Sequence, residues 1–409
     1  MTVQVPGKTT RRQVQAPRPL ALHLAVQNLT YVSSLVALQS LKNGSLDWKG
    51  SLSRRAKSLQ KNLEKVDPEE FQLAVQKEIE RRVLAFAVGV GQFQSASRAD
   101  PQVQLPCVWS EGTTKLIHAN ADGAPVILIP SLVNRGNILD LTERRSLLRY
   151  LSDAGLDTYL VDWDAPGLLE MPFTMDDYVD RLVRIRDVVQ EKSGTKPVLL
   201  GYCMGGNLAL ALAHRAPQKI DKLALLATPW DFHAVAAAPA MLLKSSLPAL
   251  KQLISTMGVM PVDVLQAMFS SLDPGGTLKK FRAFGMARQQ SAQAKDFVAL
   301  EDWLNDGVPL VANVAIECLE DWYIENKPMR GAWQSGGAVV NPRLIDVPSL
   351  VIIPTRDTIV PPASAAPLAD QLPRADILNL NAGHIGMVAG SKAKALLYKP
   401  LADWICASQ

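Results

Sequence analysis

The stretch Gly201-Tyr202-Cys203-Met204-Gly205-Gly206 has the G-x-nucleophile-x-G spacing of a nucleophile elbow, with cysteine as the nucleophile. Val198-Leu199-Leu200 before it predicts a short apolar strand, and the alanine- and leucine-rich residues 207–214 predict a helix. A strand, a sharp turn and a helix form the context that this motif requires. We therefore predict that the Cys203 thiol projects at a helix N-terminus, where backbone N–H groups favour the thiolate. The alternative is a buried cysteine in a glycine-rich turn.

Composition agrees with a soluble enzyme. The chain has 409 residues, 48% of them hydrophobic and 20% charged, enough for one large core and an accessory segment. The formal net charge of +4 is small for this length and gives no reason to expect nucleic-acid binding. The cysteines are far apart and form no C-x-x-C pair, so we expect a reducing cytoplasm and no metal site; they are Cys107, Cys203, Cys318 and Cys406.

Residues 20–41 form an apolar run near the N-terminus. Polar residues such as His23, Gln27 and Asn28 interrupt it, so it suits neither a transmembrane segment nor a signal peptide. It predicts a helix with one apolar face that packs on the main domain. The alternative is contact with a partner, a membrane surface or an apolar particle.

Three zones differ in pattern along the chain. Residues 1–100 predict a helical N-terminal region, in which Pro68-Glu69-Glu70 opens a strong helix. Residues 101–230 and 343–409 predict the catalytic core. Residues 231–342 predict an insertion between two parts of that core.

From Val126 onward, short β-branched strands alternate with helices such as 145–151 and 178–189. This alternation predicts an α/β-hydrolase fold with a mostly parallel sheet and helices on both faces. The predicted strands are 126–129, 158–161, 198–200, 222–226, 349–353 and 377–380.

The insertion 231–342 carries methionine and leucine at helical spacing, which more often indicates a helix core than a ligand surface. An insertion between two strands of a parallel sheet lies at their C-terminal edge, where such sheets place their active sites. We therefore interpret it as a cap, or lid, over Cys203 that is able to move.

A cysteine nucleophile needs a base, and five histidines are available. His384 follows the last predicted strand in a glycine-flanked loop, and the fold places its base last in the chain. His384 is therefore the candidate base. The others are placed less well: His23 in the N-terminal helix, His118 before the sheet, His214 on the elbow helix and His233 at the start of the cap.

Two carboxylates compete for the role of the acid that orients the base. Asp357 follows strand 349–353, and Asp231 follows strand 222–226, so both lie at strand C-termini. Chain order favours Asp357, whereas a capping or turn role suits Asp231 better. Asp231 stays the alternative acid.

A tetrahedral intermediate also needs two N–H donors. One is expected from the backbone of Met204, directly after the nucleophile. The other is expected from the loop after the first parallel strand, near Val133. Backbone donors leave no side-chain signature, so these two assignments depend on position alone.

Several motifs together resemble the polyhydroxyalkanoate synthases. They are the elbow at 201–206, Leu132-Val133-Asn134-Arg135 with Ile138-Leu139-Asp140-Leu141, Val161-Asp162-Trp163, Asp357 with Ile359-Val360-Pro361, and Gly383-His384-Ile385-Gly386. The resemblance covers about Pro125 to the C-terminus, with the motifs in the same order. It does not extend to the first hundred residues or to much of the cap.

The resemblance implies an acyltransferase that takes 3-hydroxyacyl groups from coenzyme A and passes them through a cysteine thioester to a growing polyester hydroxyl end. Cys203 would be the nucleophile, His384 the general base and Asp357 its partner. No cofactor is implied, because 3-hydroxyacyl-CoA is the substrate. A cysteine that attacks a thioester exchanges one thiolate for another of similar pKa, so the acyl group stays activated. Cysteine therefore suits transfer better than hydrolysis.

The chain departs from the family pattern at Thr358, where histidine is usual, and at Asp164-Ala165-Pro166, where glycine is common. Neither change removes a catalytic atom. The loop at 132–135 resembles the shorter synthases that work with a second subunit, so a second subunit or a homodimer is expected as an open alternative. We expect a cytoplasmic protein, with the N-terminal helices available for contact with the surface of polymer granules.

Two other functions stay open. Dienelactone hydrolases also have a Gly-Tyr-Cys elbow, but they resemble a minimal domain without a long cap or the asparagine-arginine loop; a thioesterase-like hydrolase belongs to the same class. The second is a non-catalytic protein that binds polymer granules. An intact set of Cys203, His384 and Asp357 argues against a vestigial elbow.

Overall fold

A computed structural model of the protein describes residues 16–48, 50–98, 102–234 and 237–407. Its α-helices, in chain order, are α1 Leu20–Val36, α2 Leu38–Lys42, α3 Ser51–Leu63, α4 Pro68–Ser95, α5 Leu147–Asp153, α6 Met175–Ser193, α7 Met204–Arg215, α8 Ala237–Met257, α9 Val262–Ser270, α10 Gly276–Gly285, α11 Ala292–Asn305, α12 Ala312–Glu317, α13 Pro362–Gln371, α14 His384–Ala389 and α15 Lys399–Cys406. Two π-helices cover Cys318–Ile324 and Lys394–Tyr398.

Within the described residues, one eight-stranded sheet dominates the fold. Its strands are β1 Cys107–Glu111, β2 Thr114–Ala119, β3 Pro125–Ile129, β4 Asp157–Asp162, β5 Val198–Tyr202, β6 Leu223–Leu226, β7 Ser349–Pro354 and β8 Ala375–Leu380. Their order across the sheet is β1-β2-β4-β3-β5-β6-β7-β8. The pairs β1–β2 and β2–β4 are antiparallel, and the other pairs are parallel. The prediction of a mostly parallel sheet is therefore confirmed.

The six predicted strands are present with shifted ends, but the sheet begins earlier than Val126. Residues 107–119 form the hairpin β1–β2, so the prediction that His118 precedes the sheet is wrong. Neither strand has the continuous apolar run of a strand buried on both faces, because β1 is a partly exposed edge strand and β2 reads Thr-Lys-Leu-Ile-His-Ala. Residues 145–146 also differ from prediction: they pair with Asp140–Thr142, and α5 begins at Leu147.

The inner strands β3 to β7 are buried on both faces because helices cover both faces, whereas the parallel edge strand β8 is largely exposed. All five residues of β3 and of β5 are buried, as are all six of β7. The core between sheet and helices includes Leu199 and Leu225 of the sheet and Leu182 and Leu208 of α6 and α7. Burial of continuous Val, Ile and Leu runs is the main stabilising contribution to such a sheet.

The chain divides into two compact units. One comprises Asp100–Leu272 and Asp306–Gln409 and contains the sheet. The other comprises Met1–Ala99 together with Asp273–Asn305. The stretch 231–342, predicted as one cap, is therefore divided between the two units.

A cluster of phenylalanines explains this division. Phe93 of α4 meets Phe281 of α10 edge to face, with ring centroids 5.6 Å apart, and Phe86 meets Phe281 at 6.2 Å. Helices α4 and α10 approach closely at Gly89, where a Cβ atom would lie 1.9 Å from the Phe281 carbonyl oxygen. Helix α10 thus buries its aromatic face against an N-terminal helix, which no local pattern in 273–305 reveals.

The predicted N-terminal helix is present as α1 and α2, and Pro68 opens α4 as predicted. Asp67 caps α4 by accepting hydrogen bonds from the N–H groups of Glu69 and Glu70. Residues 1–15 of the predicted helical region lie outside the described residues. In the described part of the chain, no helix is long and apolar enough to cross a membrane.

Helix α1 buries its polar side and exposes apolar residues. His23, Gln27 and Tyr31 are buried, whereas Leu29 and Val36 are largely exposed. Residues four apart lie on the same helix face, so the three buried residues form one stripe. The predicted apolar face thus exists, but it faces solvent in this structure.

Candidate active site

The elbow places Cys203 between β5 and α7, as the sequence predicts. Cys203 has φ 56° and ψ −128°, a strained conformation for a residue other than glycine. Its N–H donates to the Leu226 carbonyl at 2.9 Å, and its carbonyl accepts from the Gly206 N–H at 2.9 Å. These bonds hold the strained turn, and the thiol is half-buried at the C-terminal edge of the sheet.

The glycines of the elbow are required by close contacts. A Cβ atom at Gly201 would lie 2.4 Å from Gly206 Cα, and one at Gly205 would lie 2.1 Å from the Ile129 carbonyl oxygen. Neither neighbour can give way, because both are backbone atoms. The G-x-C-x-G-G spacing therefore reflects packing of strand against helix.

His384 lies after β8, at the first residue of α14, and it is buried. Its Nδ1 is 2.6 Å from Asp357 Oδ2, so the structure brings the predicted base and the preferred acid together. An aspartate at Nδ1 leaves Nε2 free to face the nucleophile. This is the arrangement found in triads of the Ser-His-Asp type.

Backbone hydrogen bonds fix the carboxylate of Asp357. Its Oδ1 accepts hydrogen bonds from the N–H groups of Ile359 at 2.8 Å and Val360 at 2.9 Å. The two carboxylate oxygens therefore have separate partners, one in the backbone and one in the imidazole ring. This fixes the plane of the carboxylate and, through it, the ring of His384.

The loops that carry the acid and the base are also joined to each other. The Thr355 N–H donates to the Leu380 carbonyl at 2.7 Å, and the Arg356 N–H donates to the Ala382 carbonyl at 3.0 Å. These bonds extend the pairing of β7 with β8 past the ends of both strands. The separation of the acid and base loops is thus set by the backbone.

Electrostatics couples His384 to Cys203. Burial lowers the pKa of His384, but the charge of Cys203 and the hydrogen bonds that His384 makes to Asp357 and Cys203 outweigh burial and raise the pKa to about 10. An opposite charge nearby favours the charged form of a group. The charge of Cys203 and the carboxylate of Asp357 thus both favour the imidazolium form of His384.

The alternative acid, Asp231, lies elsewhere. Its Oδ1 accepts from the His233 N–H at 2.9 Å and from Asn326 Nδ2 at 2.8 Å. Across the described residues, no hydrogen bond joins Asp231 to His384. Asp231 thus has the turn role that suits a carboxylate one or two residues before backbone N–H groups.

The two predicted oxyanion donors differ in their surroundings. Met204 is the first residue of α7, so its N–H has no carbonyl one turn earlier to bond. The Val133 N–H donates to the Ser131 hydroxyl at 3.2 Å. A substrate oxygen that accepts a hydrogen bond from the Val133 N–H would therefore replace the Ser131 hydroxyl as acceptor or share this N–H with it.

Arg135 fastens the loop that carries Val133. Its Nη1 is 2.7 Å from Asp164 Oδ1, and its Nε is 2.6 Å from Asp306 Oδ2. Asp164 follows β4 and Asp306 opens the return of the chain to the sheet unit, so one guanidinium joins three segments. The motif indicated that this loop matters, but the partners of Arg135 are distant in sequence.

Two tyrosines near Cys203 were missed by sequence reasoning. Tyr202 stacks on His384, with ring centroids 5.1 Å apart and an angle of 30° between the rings. Burial of the Tyr323 hydroxyl, followed by the charges of Cys203 and Cys318, raises the pKa of Tyr323. Tyr202 could have been suspected from its place beside the nucleophile, whereas Tyr323 lies in a π-helix that has no clear sequence signal.

Apolar side chains of the predicted cap pack on the large hydrophobic core of the sheet unit. Leu243, Leu247 and Leu250 of α8 are partly buried against the same hydrophobic cluster as Cys203. The side chains at 241 and 242, part of the predicted stripe, lie outside the described residues. Among the described residues, no group of three or more His, Cys, Asp and Glu side chains is placed to hold a metal ion.

Known proteins share the fold of this chain. A family model described as alpha/beta hydrolase fold matches residues 124–390. The solved structure of BpoC from Mycobacterium tuberculosis superimposes with a TM-score of 0.51 at 16% identity, covering 76% of this chain and all of that one. The chain belongs to the α/β-hydrolase fold family.

Proteins of similar sequence identify a more specific family within this fold. The poly(3-hydroxyalkanoate) polymerase subunit PhaC of Haloarcula marismortui is 30% identical over 342 residues, which are 80% of this chain and 70% of that protein. The same subunit of Haloferax mediterranei is 30% identical over 73% of this chain and 62% of its own length. That of Synechocystis sp. is 29% identical over 70% of this chain and 78% of its own. The chain belongs to the poly(3-hydroxyalkanoate) polymerase PhaC family, as the motifs predict.

Proposed function

We propose that this protein is an acyltransferase that polymerises 3-hydroxyacyl groups from coenzyme A through a thioester on Cys203. The observation that carries the proposal is the cysteine in the elbow, coupled to the buried pair of His384 and Asp357, in a chain of the PhaC family. A half-buried cysteine whose charge couples to the imidazole of His384 is a nucleophile placed to attack a thioester.

In the first step, the Cys203 thiolate attacks the thioester carbonyl of 3-hydroxyacyl-CoA. The carbonyl oxygen becomes an oxyanion, which the N–H groups of Met204 and Val133 stabilise. The intermediate collapses by breaking the bond to the sulfur of CoA. His384 gives its proton to that sulfur, so free CoA leaves and the acyl group stays on Cys203.

In the second step, neutral His384 accepts the proton of a hydroxyl group at the end of the growing polyester or on a second hydroxyacyl group. The hydroxyl oxygen attacks the thioester carbonyl on Cys203, and the Cys203 thiolate leaves. A new ester bond has formed, and the imidazolium and thiolate are restored. Asp357 keeps the ring of His384 in one orientation through both steps.

Transfer is favoured over hydrolysis by the chemistry of sulfur and by the apolar surroundings of Cys203. The exchange of CoA for cysteine keeps the acyl group activated for the second step. Cys203 packs against the hydrophobic core, and such apolar surroundings reduce access of water to the thioester. An alcohol held by its own apolar polyester chain then competes well with water.

The experiment incubates the purified protein with 3-hydroxybutyryl-CoA and measures both CoA release and polymer. We expect both products from the wild type and loss of both, by about 10⁴-fold or more, in Cys203→Ala. Cys107→Ser is the matched control, because Cys107 is exposed on β1 and its substitution should leave CoA release within two-fold of wild type. Equal CoA release by wild type and Cys203→Ala would contradict the assignment of the nucleophile.

The same assay separates the rival functions. Free 3-hydroxy acid as the sole product would indicate a thioesterase-like hydrolase. Turnover of a lactone without release of CoA would indicate a dienelactone hydrolase. Binding of polymer granules without either reaction would indicate the non-catalytic protein.

Partner and location are part of the proposal. The relatives from Haloarcula, Haloferax and Synechocystis are named as polymerase subunits, which supports a second subunit or a homodimer for this chain. The exposed Leu29, Val32 and Val36 on α1 support contact with an apolar granule surface. A cytoplasmic protein at the granule surface would combine these features, and co-sedimentation of a Leu29→Ser, Val36→Ser variant with granules tests the contact.

A further inference from the structure

Tyr202 is the last residue of β5, directly before the nucleophile, and it is 3% exposed. Its ring stacks on the imidazole of His384, with centroids 5.1 Å apart. Its hydroxyl donates to the backbone carbonyl of His384 at 3.4 Å. One side chain therefore contacts both the ring and the backbone of the proposed base, while its own backbone leads into Cys203.

The face of an aromatic ring carries negative charge density and attracts a cation placed over it. An imidazolium stacked on a tyrosine is therefore favoured over a neutral imidazole. Burial, with the charges of Cys203 and Asp357, raises the pKa of Tyr202 well above its usual range, so the phenol stays neutral. The ring can then act as a cation partner without a change in its own charge.

Three titratable groups face His384, each from a different segment. Asp357 reaches Nδ1 from the loop after β7, Cys203 acts from the elbow, and Tyr202 covers a ring face from β5. The loop at 356, whose backbone bonds Ala382, contributes the charged Arg356, which donates to the Asn381 carbonyl. Asp357 and Cys203 are the expected parts of a triad, whereas the contribution of Tyr202 is additional.

We propose that Tyr202 is a positioning residue that packs on one face of the His384 ring and stabilises its imidazolium form. This favours transfer of the Cys203 proton to His384 before substrate binds. The proposal rests on the roles given to Cys203 and His384 under the proposed function. It assigns two tasks to one side chain. The ring favours the ion pair, and the hydroxyl fixes the backbone that carries the base.

The experiment measures the rate of alkylation of Cys203 by iodoacetamide from pH 5.5 to 10, with the modified peptide identified by mass. A thiolate paired with an imidazolium stays reactive at acid pH, where an unpaired thiol does not. Tyr202→Leu removes the ring, and Tyr202→Phe keeps the ring but removes the hydroxyl. Tyr159→Leu is the matched control, since Tyr159 is a buried tyrosine of the same sheet that stacks on a different histidine.

The ratio of the alkylation rate at pH 6 to the rate at pH 9.5 should be about three-fold lower in Tyr202→Leu than in the wild type. A three-fold change is about the size expected of a weak cation–π contribution. Tyr202→Phe should keep the wild-type pH profile but lower kcat for CoA release by about three- to ten-fold at unchanged KM, because the base is less firmly held. Tyr159→Leu should lower stability without changing the pH profile. A Tyr202→Leu profile that superimposes on that of the wild type would overturn the role of the ring.

A second variant keeps the test decisive if Tyr202→Leu does not fold. Tyr202→pentafluorophenylalanine has nearly the shape of Tyr202→Phe, but the charge distribution of its ring face is reversed. It should lose reactivity at pH 6 relative to Tyr202→Phe, and equal profiles for these two would overturn the proposal. Alkylation needs no acyl-CoA, so a wild type that releases no CoA would refute the proposed function while the pH profiles still decide the role of Tyr202.

Discussion

The sheet unit contains two buried histidine–aspartate pairs, each with a tyrosine stacked on the histidine. In one, His384 Nδ1 lies 2.6 Å from Asp357 and Tyr202 covers the ring. In the other, His118 Nε2 lies 2.6 Å from Asp157, and the ring of Tyr159 stacks on His118 at 4.2 Å. Both clusters consist of a histidine, an aspartate and a tyrosine, but they differ in their position in the sheet and in their neighbours.

The pairs lie at opposite edges of the sheet. His384 follows the C-terminal end of β8, whereas Asp157 begins β4 and His118 is the last residue but one of the antiparallel strand β2. Asp157 also accepts a hydrogen bond from the Tyr159 hydroxyl at 2.7 Å, which closes this second cluster on itself. Within the described residues, no cysteine or serine side chain bonds to His118.

The comparison teaches that a buried histidine–aspartate pair does not by itself make an active site. The pair at His384 has a strained nucleophile and a helix N-terminus beside it, and its aspartate holds Nδ1. The pair at His118 has its aspartate on Nε2 and no reacting group in contact. Reactivity therefore depends first on Cys203 and on the elbow that presents it. The pair of His384 and Asp357 then increases the reactivity of that cysteine.

The comparison is tested most strongly by changing the two histidines in turn. His384→Ala should lower kcat for CoA release by about 10³- to 10⁴-fold, because proton transfer to the leaving thiolate and from the attacking hydroxyl is lost. His118→Gln should leave kcat within about three-fold and lower the free energy of unfolding by about 1–3 kcal/mol, because buried Asp157 loses a partner. Kinetics and urea unfolding of both variants check this pair of outcomes, and similar losses of kcat would refute the contrast.

Aspartates give the next contrast. Asp357→Asn should lower kcat by about 10²- to 10⁴-fold, because the amide no longer fixes the tautomer of His384. Asp231→Asn should lower it by less than about five-fold, since Asp231 serves a turn and Asn326. Steady-state kinetics decide between the two acids, and a larger loss in Asp231→Asn would restore the alternative.

Arg135 offers a smaller effect. Arg135→Lys keeps a charge but cannot span Asp164 and Asp306 with one planar group, so the loop that carries Val133 should loosen. We expect kcat to fall by about ten-fold with little change in KM, because the oxyanion contact forms in the transition state. Arg184→Lys, at an exposed ion pair with Glu111, is the control and should change kcat by less than two-fold. A rise in KM alone would contradict an oxyanion role.

The smallest expected effect is on the pH dependence of stability. The pKa of His384 is about 10 in the folded protein against an ordinary value of 6.5, so folding takes up a proton between these values. The resulting stabilisation is fully present below pH 6.5 and is lost as the pH rises through about 10. In Cys203→Ala the charge of Cys203 that helps to raise the pKa of His384 is absent, so the slope of stability against pH should steepen at a lower pH than in the wild type. Urea unfolding at pH 7, 8.5 and 10 measures the two slopes, and equal slopes would contradict the coupling.

Sequence patterns were most informative where a local rule has one physical cause. The elbow could be predicted because Gly201 and Gly205 meet backbone atoms, which leaves no room for any other residue. His384 and Asp357 could be predicted because the ends of parallel strands lie at one edge of the sheet, in a fixed chain order. The inner strands β3 to β7 were predictable because burial on both faces favours apolar runs, whereas β8 is an edge strand and is largely exposed.

Other features depend on contacts between residues far apart in the chain. The strands β1 and β2 lack a continuous apolar run, and the pairing of β2 with β4 joins segments about forty residues apart. The assignment of 273–305 to the N-terminal unit rests on Phe281 and Phe93, whose contact no local pattern shows. The stacking of Tyr202 on His384 joins residues 182 positions apart.

The cluster of Phe86, Phe93 and Phe281 also has a consequence for how the chain is made. On a ribosome, the N-terminal helices emerge long before α10, whose Phe281 lies roughly two hundred residues after Phe93, a delay of roughly 10–40 seconds at usual rates of synthesis. During that time the aromatic face of α4 lacks its partners Phe281, Phe284 and Phe297. The nascent chain therefore needs either a chaperone or a temporary apolar contact to protect α4 until its second half has been synthesised.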